Sequence, residues 1–128
     1  MSQIRIPART VIEFVAQSHG LPVSALIGVC RRNAVAHPRQ FAMYAIRLLC
    51  PHLSLGMIGR ALGGRDHTTI LHGIRKVEAR LAEGELVEDV ARLEAWFDQS
   101  YIEARIEEAE QRLASLKAMR DTVQQVAA

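Results

Sequence analysis

Hydrophobic side chains recur every three to four residues along most of the chain, which is the spacing of one face of an α-helix. Turn residues separate these runs: Pro7 suits a first turn, Gly20 a position just past a helix end, and Pro51 cannot continue a helix. No sustained alternation of apolar and polar residues indicates a strand. The pattern therefore predicts an all-α fold. The predicted helices span residues 7–18, 22–27, 37–50, 54–62, 66–82 and 85–99. The last of these helices is expected to point inward with Leu86, Val90, Leu93, Trp96 and Phe97.

The stretch that is most specific for function runs over residues 63–78, GGRDHTTILHGIRKVE. Its two glycines permit a sharp turn, and Asp66 is a good N-cap for the helix that follows. One face of that helix is apolar, whereas its first turn is polar and free of bulky apolar groups. Such a turn suits a helix that enters a DNA major groove N-terminus first, where Asp can accept from cytosine and Thr can contact a thymine methyl. With the short helix over 54–62, for which Ser54 is the expected N-cap, it predicts a helix-turn-helix.

This stretch closely resembles the signature of the C-terminal DNA-binding domain of DnaA, the bacterial chromosomal replication initiator. The resemblance covers roughly residues 5 to 100 and includes His37-Pro38-Arg39-Gln40 and Ser54-Leu55. It implies an all-α, Trp-repressor-like helix-turn-helix. Relatives usually end near residue 100, and the residues beyond it are expected from their own spacing to form an extended C-terminal helix. Two departures occur: Gly56-Met57 replaces a usual Pro-Glu pair, and the linker over 51–53 is one residue longer than in some relatives. They bear on the first turn of the short helix and its phosphate contact.

The resemblance also implies which residues contact DNA. Arg31 is expected in the minor groove, in a loop over 28–33; the alternative is a cation that only solvates the surface. Base edges in the major groove are expected to be contacted by Asp66, His67, Thr68 and Thr69, although Thr69 could instead only cap or pack. For Arg47 and Lys76 the alternative is ordinary surface solvation. The expected phosphate contacts are Arg39, Gln40, Arg47, Ser54, Leu55, Arg65, Leu71 and Lys76, the two leucines through backbone N–H groups.

The charge distribution divides the chain in two. Residues 1–80 contain 11 Lys and Arg against 3 Asp and Glu, a net +8, whereas residues 81–128 contain 5 against 11, a net −6. A basic half is typical of a protein that binds a polyanion, and an acidic half would repel one. Because the family resemblance ends near residue 100, we expect a DNA-binding domain over residues 1–100 and a helical extension over 101–128.

The extension carries an apolar stripe that is close to a heptad seam. Three interpretations remain open at this stage: a helix that folds back onto the domain, self-association through residues 102–126, and a partly disordered tail. A homodimer, a full-length initiator or another protein is thus a possible partner. The stripe consists of Ile102, Ile106, Ala109, Leu113, Leu116, Met119, Val123 and Val126.

Other chemistries fit the sequence poorly. His67 and His72 are five residues apart, which is not the i, i+4 spacing of a helical metal pair, and Asp66-His67 lacks a second carboxylate or a nucleophile. Cys30 and Cys50 are interpreted as two reduced thiols. The 128 residues contain no phosphate-cradling Gly-Lys-Ser/Thr loop, signal peptide or membrane-spanning run. We expect no enzyme activity, nucleotide, cofactor, metal or membrane, and a cytoplasmic, nucleoid-associated location.

The function predicted from these observations is sequence-specific binding of double-stranded DNA at DnaA-box-like sites. Without an ATPase module, the chain is expected to regulate replication initiation or transcription by occupying its sites. The alternative is a protein-interaction adaptor that works through its C-terminal helix and has residual affinity for DNA.

Overall fold

The computed structural model describes residues 5–29 and 32–127, without the side chains of residues 33 and 99–101. These residues form helices and no strand, so the predicted all-α class is confirmed. The chain divides into two compact units, residues 1–90 and 91–128. The domain boundary expected between residues 100 and 101 stays a prediction. The helices are α1 Ala8–Ser18, α2 Val23–Ile27, α3 Asn33–Leu49, α4 Leu55–Ala61, α5 His67–Ala82, α6 Val87–Ala95, a π-helical segment Trp96–Tyr101, and α7 Ile102–Ala127.

The helices of the first unit surround one apolar core. α3 packs against α1 and α5, and α4 packs against α5. The core is formed by the apolar faces that the sequence spacing predicts for α1, α3, α4 and α5. Packing of such a face is the main source of helix stability in proteins. Its largest fully buried side chains include Val11, Ile12, Val15, Leu26, Ile46, Ile58, Leu62, Ile70 and Val77.

The long central helix begins four residues earlier than the sequence predicted. α3 starts at Asn33, so that Pro38 lies inside the helix. A start at His37, as predicted, would have placed Pro38 in the first turn, where proline is best tolerated. Here the helix continues through Pro38, which itself is buried. Tertiary packing of α3 against two other helices outweighs the lost backbone donor.

The helix predicted over 85–99 also differs. α6 begins only at Val87, because Gly84 at φ 87° and Leu86 at φ 63° both lie in the left-handed region and interrupt the helix. α6 then continues into the π-helical segment. Leu93 and Phe97 are buried as predicted, whereas Leu86 and Val90 are half-buried. Trp96 was predicted to point inward and is instead 38% exposed, its ring edge-on to Phe97 with centroids 4.7 Å apart.

In the second unit, α7 is a continuous helix of 26 residues. None of its described side chains is buried. The apolar stripe predicted along it is therefore exposed. Among the described residues, every helix is too short or too polar to cross a membrane.

Candidate nucleic-acid interface

The turn between α4 and α5 depends on two glycines. The carbonyl of Gly59 accepts from the backbone N–H groups of Gly64 and Arg65, at 2.9 and 2.8 Å. A Cβ atom at Gly59 would overlap the carbonyl oxygen of Arg65. Gly63 has φ 85°, which favours glycine, and a Cβ there would overlap the carbonyl oxygen of Ile27. The close approach of these backbones sets the direction in which α5 leaves the turn.

The first turn of α5 presents an exposed polar cluster. Asp66 stands at the N-cap position, as predicted, but its side chain does not cap the helix backbone. Instead Oδ2 accepts from the Thr68 hydroxyl at 3.0 Å, and Oδ1 lies 2.8 Å from Nδ1 of His67. The hydrogen bond from the Thr68 hydroxyl is the largest of the effects that lower the pKa of Asp66. Asp66 is thus an ionised, exposed acceptor whose orientation is held by its neighbours.

A shallow cavity of about 180 Å³ lies between α3 and α5, beside this cluster. The two helices approach closely at Gly73, where a Cβ atom would overlap the sulfur of Met43. Predicted site residues from distant parts of the sequence come together in its walls. They are Arg39 and Gln40 from α3, Arg65 from the turn, and Thr69 and Lys76 from α5.

His72 lines the same cavity and was absent from the predicted contacts. It is exposed, and it lies three residues after Thr69 and four before Lys76. Residues with this spacing share one face of a helix. The spacing could have identified His72 once Thr69 and Lys76 were assigned to the same face.

Arg39, from which a phosphate contact was expected, is held inside the protein by backbone carbonyl groups. Its side chain is buried, with only 7% exposure. Nε donates to the carbonyl of Leu26 at 2.8 Å, and a terminal nitrogen donates to those of Ala25 and Gly28 at 2.9 and 3.0 Å. These carbonyls belong to the C-terminal end of α2, where the helix dipole favours a cation. Arg39 therefore fastens α2 to α3, and the phosphate contact expected of it stays a prediction beside this structural role.

Arg65 makes a related set of contacts. Its guanidinium donates to the carbonyls of Ile27, Leu62 and Gly28. Burial, followed by the nearby charge of Arg39, lowers the pKa of Arg65 from its usual high value. Arg65 is half-buried and lines the cavity, so the expected phosphate contact stays a prediction beside this structural role.

The phosphate contact expected through the backbone N–H of Leu71 stays a prediction, and the position of that N–H in the helix bears on it. The hydrogen-bond ladder of α5 begins with the N–H of Ile70 on the carbonyl of Asp66. Leu71 is the next residue of the helix, so its N–H lies within the ladder and is not one of the free first-turn donors. Leu55 differs, because it is the first residue of α4.

The remaining predicted residues lie apart from the cavity. Ser54 caps α4 as predicted, its Oγ accepting from the N–H of Met57 at 3.2 Å. This cap explains how the helix begins cleanly despite Gly56 and Met57 in its first turn. Arg47 is exposed on α3. Arg31 lies outside the described residues.

Helices α4 and α5 with their glycine turn define a DNA-binding helix-turn-helix. Residues 8–77, more than half of the chain, match the family described as bacterial dnaA protein helix-turn-helix. The chain belongs to this family.

Curated relatives carry the same family name. The chain is 46% identical over 80 residues to the chromosomal replication initiator protein DnaA of Cereibacter sphaeroides, covering 62% of this chain and 17% of that protein. It is 39% identical over 93 residues to DnaA of Ruegeria pomeroyi, covering 72% and 20%. It is 47% identical over 75 residues to DnaA of Thermomicrobium roseum, covering 59% and 16%. The chain thus spans a fifth or less of the length of these relatives.

Proposed function

We propose that this chain binds double-stranded DNA with sequence preference, at sites like those of DnaA, by inserting the N-terminus of α5 into the major groove. The observation that carries the proposal is the exposed cluster of Asp66, His67 and Thr68 at that N-terminus. Membership of a DNA-binding helix-turn-helix family supports it.

The cluster has the chemistry needed to distinguish bases. A carboxylate at Asp66 accepts from the N4 amino group of cytosine, and the Thr68 methyl suits contact with a thymine methyl. Because the Thr68 hydroxyl already donates to Asp66 at 3.0 Å, both side chains are oriented before DNA binds. Thr69 follows on the face that borders the cavity, and both it and His67 are proposed to contact base edges.

Phosphate contacts would flank this base contact on both sides. Gln40 and Lys76 line the cavity beside Thr69, and a strand of DNA over the cavity would meet an amide and a cation there. Arg47 is exposed on α3 and is proposed to contact a phosphate on a second segment of the DNA. Ser54 and Leu55, the N-cap and the first residue of α4, are proposed to contact another phosphate. Arg31 is proposed, from the family resemblance, to enter the minor groove, where negative potential favours arginine.

Binding is proposed to need no nucleotide, because the 128 residues contain no phosphate-cradling loop. The chain would then act by occupancy, regulating transcription or replication initiation or competing with an initiator for shared sites. Such a role would place it with the chromosome in the cytoplasm.

Selection of bound sites from a random duplex library tests the proposal directly. Enrichment of DnaA-box-like sequences is expected, with or without ATP. Recovery of no common sequence would contradict it and would favour the adaptor alternative, in which α7 is the working surface.

Thr68→Ala tests the base contact separately. The loss is expected to be about 1–3 kcal/mol on the selected site and less on a scrambled duplex. Thr122→Ala is the matched control, because that hydroxyl bonds only the carbonyl of Ala118 in its own helix, at 3.0 Å. Equal losses from Thr68→Ala on both duplexes would mean that Thr68 does not read bases.

Lys76→Ala and Arg31→Ala separate the other two kinds of contact. Lys76→Ala should weaken binding to the selected and the scrambled duplex alike. It should also lower by about 1 the slope of the logarithm of the binding constant against the logarithm of the salt concentration. Arg31→Ala should weaken binding most where the flank of the site is rich in A·T pairs. If the Arg31→Ala variant keeps the wild-type preference between A·T-rich and G·C-rich flanks, the proposed minor-groove contact of Arg31 is wrong.

A further inference from the structure

The apolar stripe of α7 is exposed from Ile106 to Val126, whereas Ile102 at its start is half-buried. Ile106, Leu113 and Leu116 are 50–56% exposed, and exposure rises to 83% at Val126. In proteins most of the stability of a helix comes from packing of its apolar face against another element. A partner for this stripe would supply that packing.

We infer that the partner is a second copy of this chain, whose α7 pairs with the first in the antiparallel direction. The sequence of α7 fits one heptad repeat, in which every seven residues are labelled a to g and positions a and d form the seam between two paired helices. The a positions are Ile106, Leu113, Arg120 and Ala127, and the d positions are Ile102, Ala109, Leu116 and Val123.

Arg120 decides the direction of pairing. In a parallel pair each a position meets its own counterpart, so two Arg120 side chains would face each other within the seam. In an antiparallel pair a positions face d positions, and the centre of the pair lies between Leu113 and Leu116. Arg120 then faces Ala109 of the second copy, whose small side chain leaves room for the arginine stem.

The charges beside the seam favour the same direction. In an antiparallel pair, residues at position e face each other across the interface, which brings Glu110 opposite Lys117 of the second copy, twice by symmetry. In a parallel pair Lys117 would instead face Arg112 of the second copy, a like charge. All three side chains are exposed and available for such contacts.

The antiparallel pair also accounts for the irregular spacing of the stripe. Met119 and Val126 break the heptad and fall at position g. In the antiparallel pair g faces g, which places Met119 beside the aliphatic stem of Arg112 and Val126 beside that of Arg105. Arginine stems cover apolar surface while the charged group stays in water. The apolar positions of the stripe are therefore all covered in this one arrangement.

The dimer would hold two helix-turn-helix units in one assembly. With a rise of about 1.5 Å per residue, the two Ile102 residues would lie about 38 Å apart along the paired helices. Each unit could then occupy its own DNA site, although dimerisation itself does not depend on the proposed DNA binding.

Sedimentation velocity of the full chain and of charge variants at about 50 μM tests the inference. The wild-type protein is expected to dimerise. Glu110→Lys and Lys117→Glu should each weaken the dimer about three- to tenfold, and the double variant should restore it. Glu107→Lys, the same charge change at a position away from the seam, should leave the dissociation constant unchanged. Circular dichroism identifies any variant whose helix content falls.

Three outcomes would overturn the inference. A wild-type chain that is monomeric at this concentration would mean that the stripe has no second copy as partner. A Lys117→Glu variant that dimerises more tightly would indicate a parallel pair, because the introduced carboxylate would then face Arg112 of the second copy. Failure of the double variant to recover dimerisation, with helix content intact, would exclude the Glu110–Lys117 contact.

Discussion

Arg39 and Arg65 are 26 positions apart in the sequence, and both donate a hydrogen bond to the carbonyl oxygen of Gly28. Together they hold the end of α2 against α3 and against the turn that precedes α5. The cost of bringing two guanidinium groups together is visible in Arg65, whose pKa is lowered by burial and then by the charge of Arg39. The carbonyl oxygens at the end of α2 offset that repulsion, because they carry the negative end of the helix dipole.

Loss of Arg39 should therefore destabilise the fold. Arg39→Ala leaves the carbonyls of Ala25 and Leu26 without this donor and is expected to lower the free energy of unfolding by about 1–3 kcal/mol. Arg47→Ala on the same helix removes an exposed guanidinium and should change stability by less than about 0.5 kcal/mol. Urea denaturation measures both, and equal effects would mean that the buried contacts of Arg39 contribute nothing.

Two glycines of α4 should respond in opposite directions to alanine. Gly59→Ala forces a Cβ atom into the carbonyl oxygen of Arg65, which is backbone and cannot rotate away, so a loss of about 3 kcal/mol is expected. Gly56→Ala adds a Cβ whose nearest neighbour, Oγ of Ser54, is 3.8 Å away, and should stabilise the helix by about 0.5–1 kcal/mol. Thermal unfolding measures both variants. A Tm of Gly59→Ala that equals or exceeds that of Gly56→Ala would contradict the packing of the turn.

Ionisation of Asp66 at the start of α5 should make the stability of the protein depend on pH in the acid range. Its folded-state pKa is depressed, first by the Thr68 hydroxyl, so its contribution to stability is present above the unfolded pKa of about 3.9 and is lost as the pH falls through the folded value. The stability difference between wild type and Asp66→Asn should therefore be constant from about pH 7 to 5 and shrink below about pH 4. Denaturation curves at a series of pH values check this; a difference independent of pH would show that the Thr68 hydroxyl does not favour the carboxylate.

Cys50 should be unreactive in the folded protein. Burial raises the pKa of its thiol to about 11, and Sγ donates to the carbonyl of Ile6 at 2.9 Å. Because the pKa of the Cys50 thiol is raised in the folded state, its contribution to the free energy of unfolding is present below the unfolded pKa of about 8.5. That contribution declines as the pH rises toward 11. In a Cys30→Ser variant, a thiol reagent at pH 8 should label Cys50 only after denaturation. Prompt labelling of the native protein would show that the thiol is accessible.

The predictions from sequence that the structure supports rest on local signals. Helix periodicity, the glycine turn, the Ser54 cap and the first turn of α5 each involve residues close together along the chain, and their geometry follows from backbone sterics and nearby hydrogen bonds. The family resemblance likewise rests on one continuous run, GGRDHTTILHGIRKVE, and the family is confirmed.

Tertiary structure decided the features that depend on distant contacts. Arg39 lies next to Gln40 in a motif that suggests phosphate binding, yet its guanidinium donates to the carbonyls of residues 25, 26 and 28. No spacing in the sequence places those carbonyls beside it. Packing likewise carries α3 through Pro38 and leaves Trp96 exposed. The sequence by itself determined the all-α class and the polar first turn of α5, because apolar spacing and turn chemistry involve residues close together along the chain. Only the folded chain decided that the guanidinium groups of Arg39 and Arg65 bond backbone carbonyls at the end of α2, because burial and long-range hydrogen bonds depend on tertiary packing.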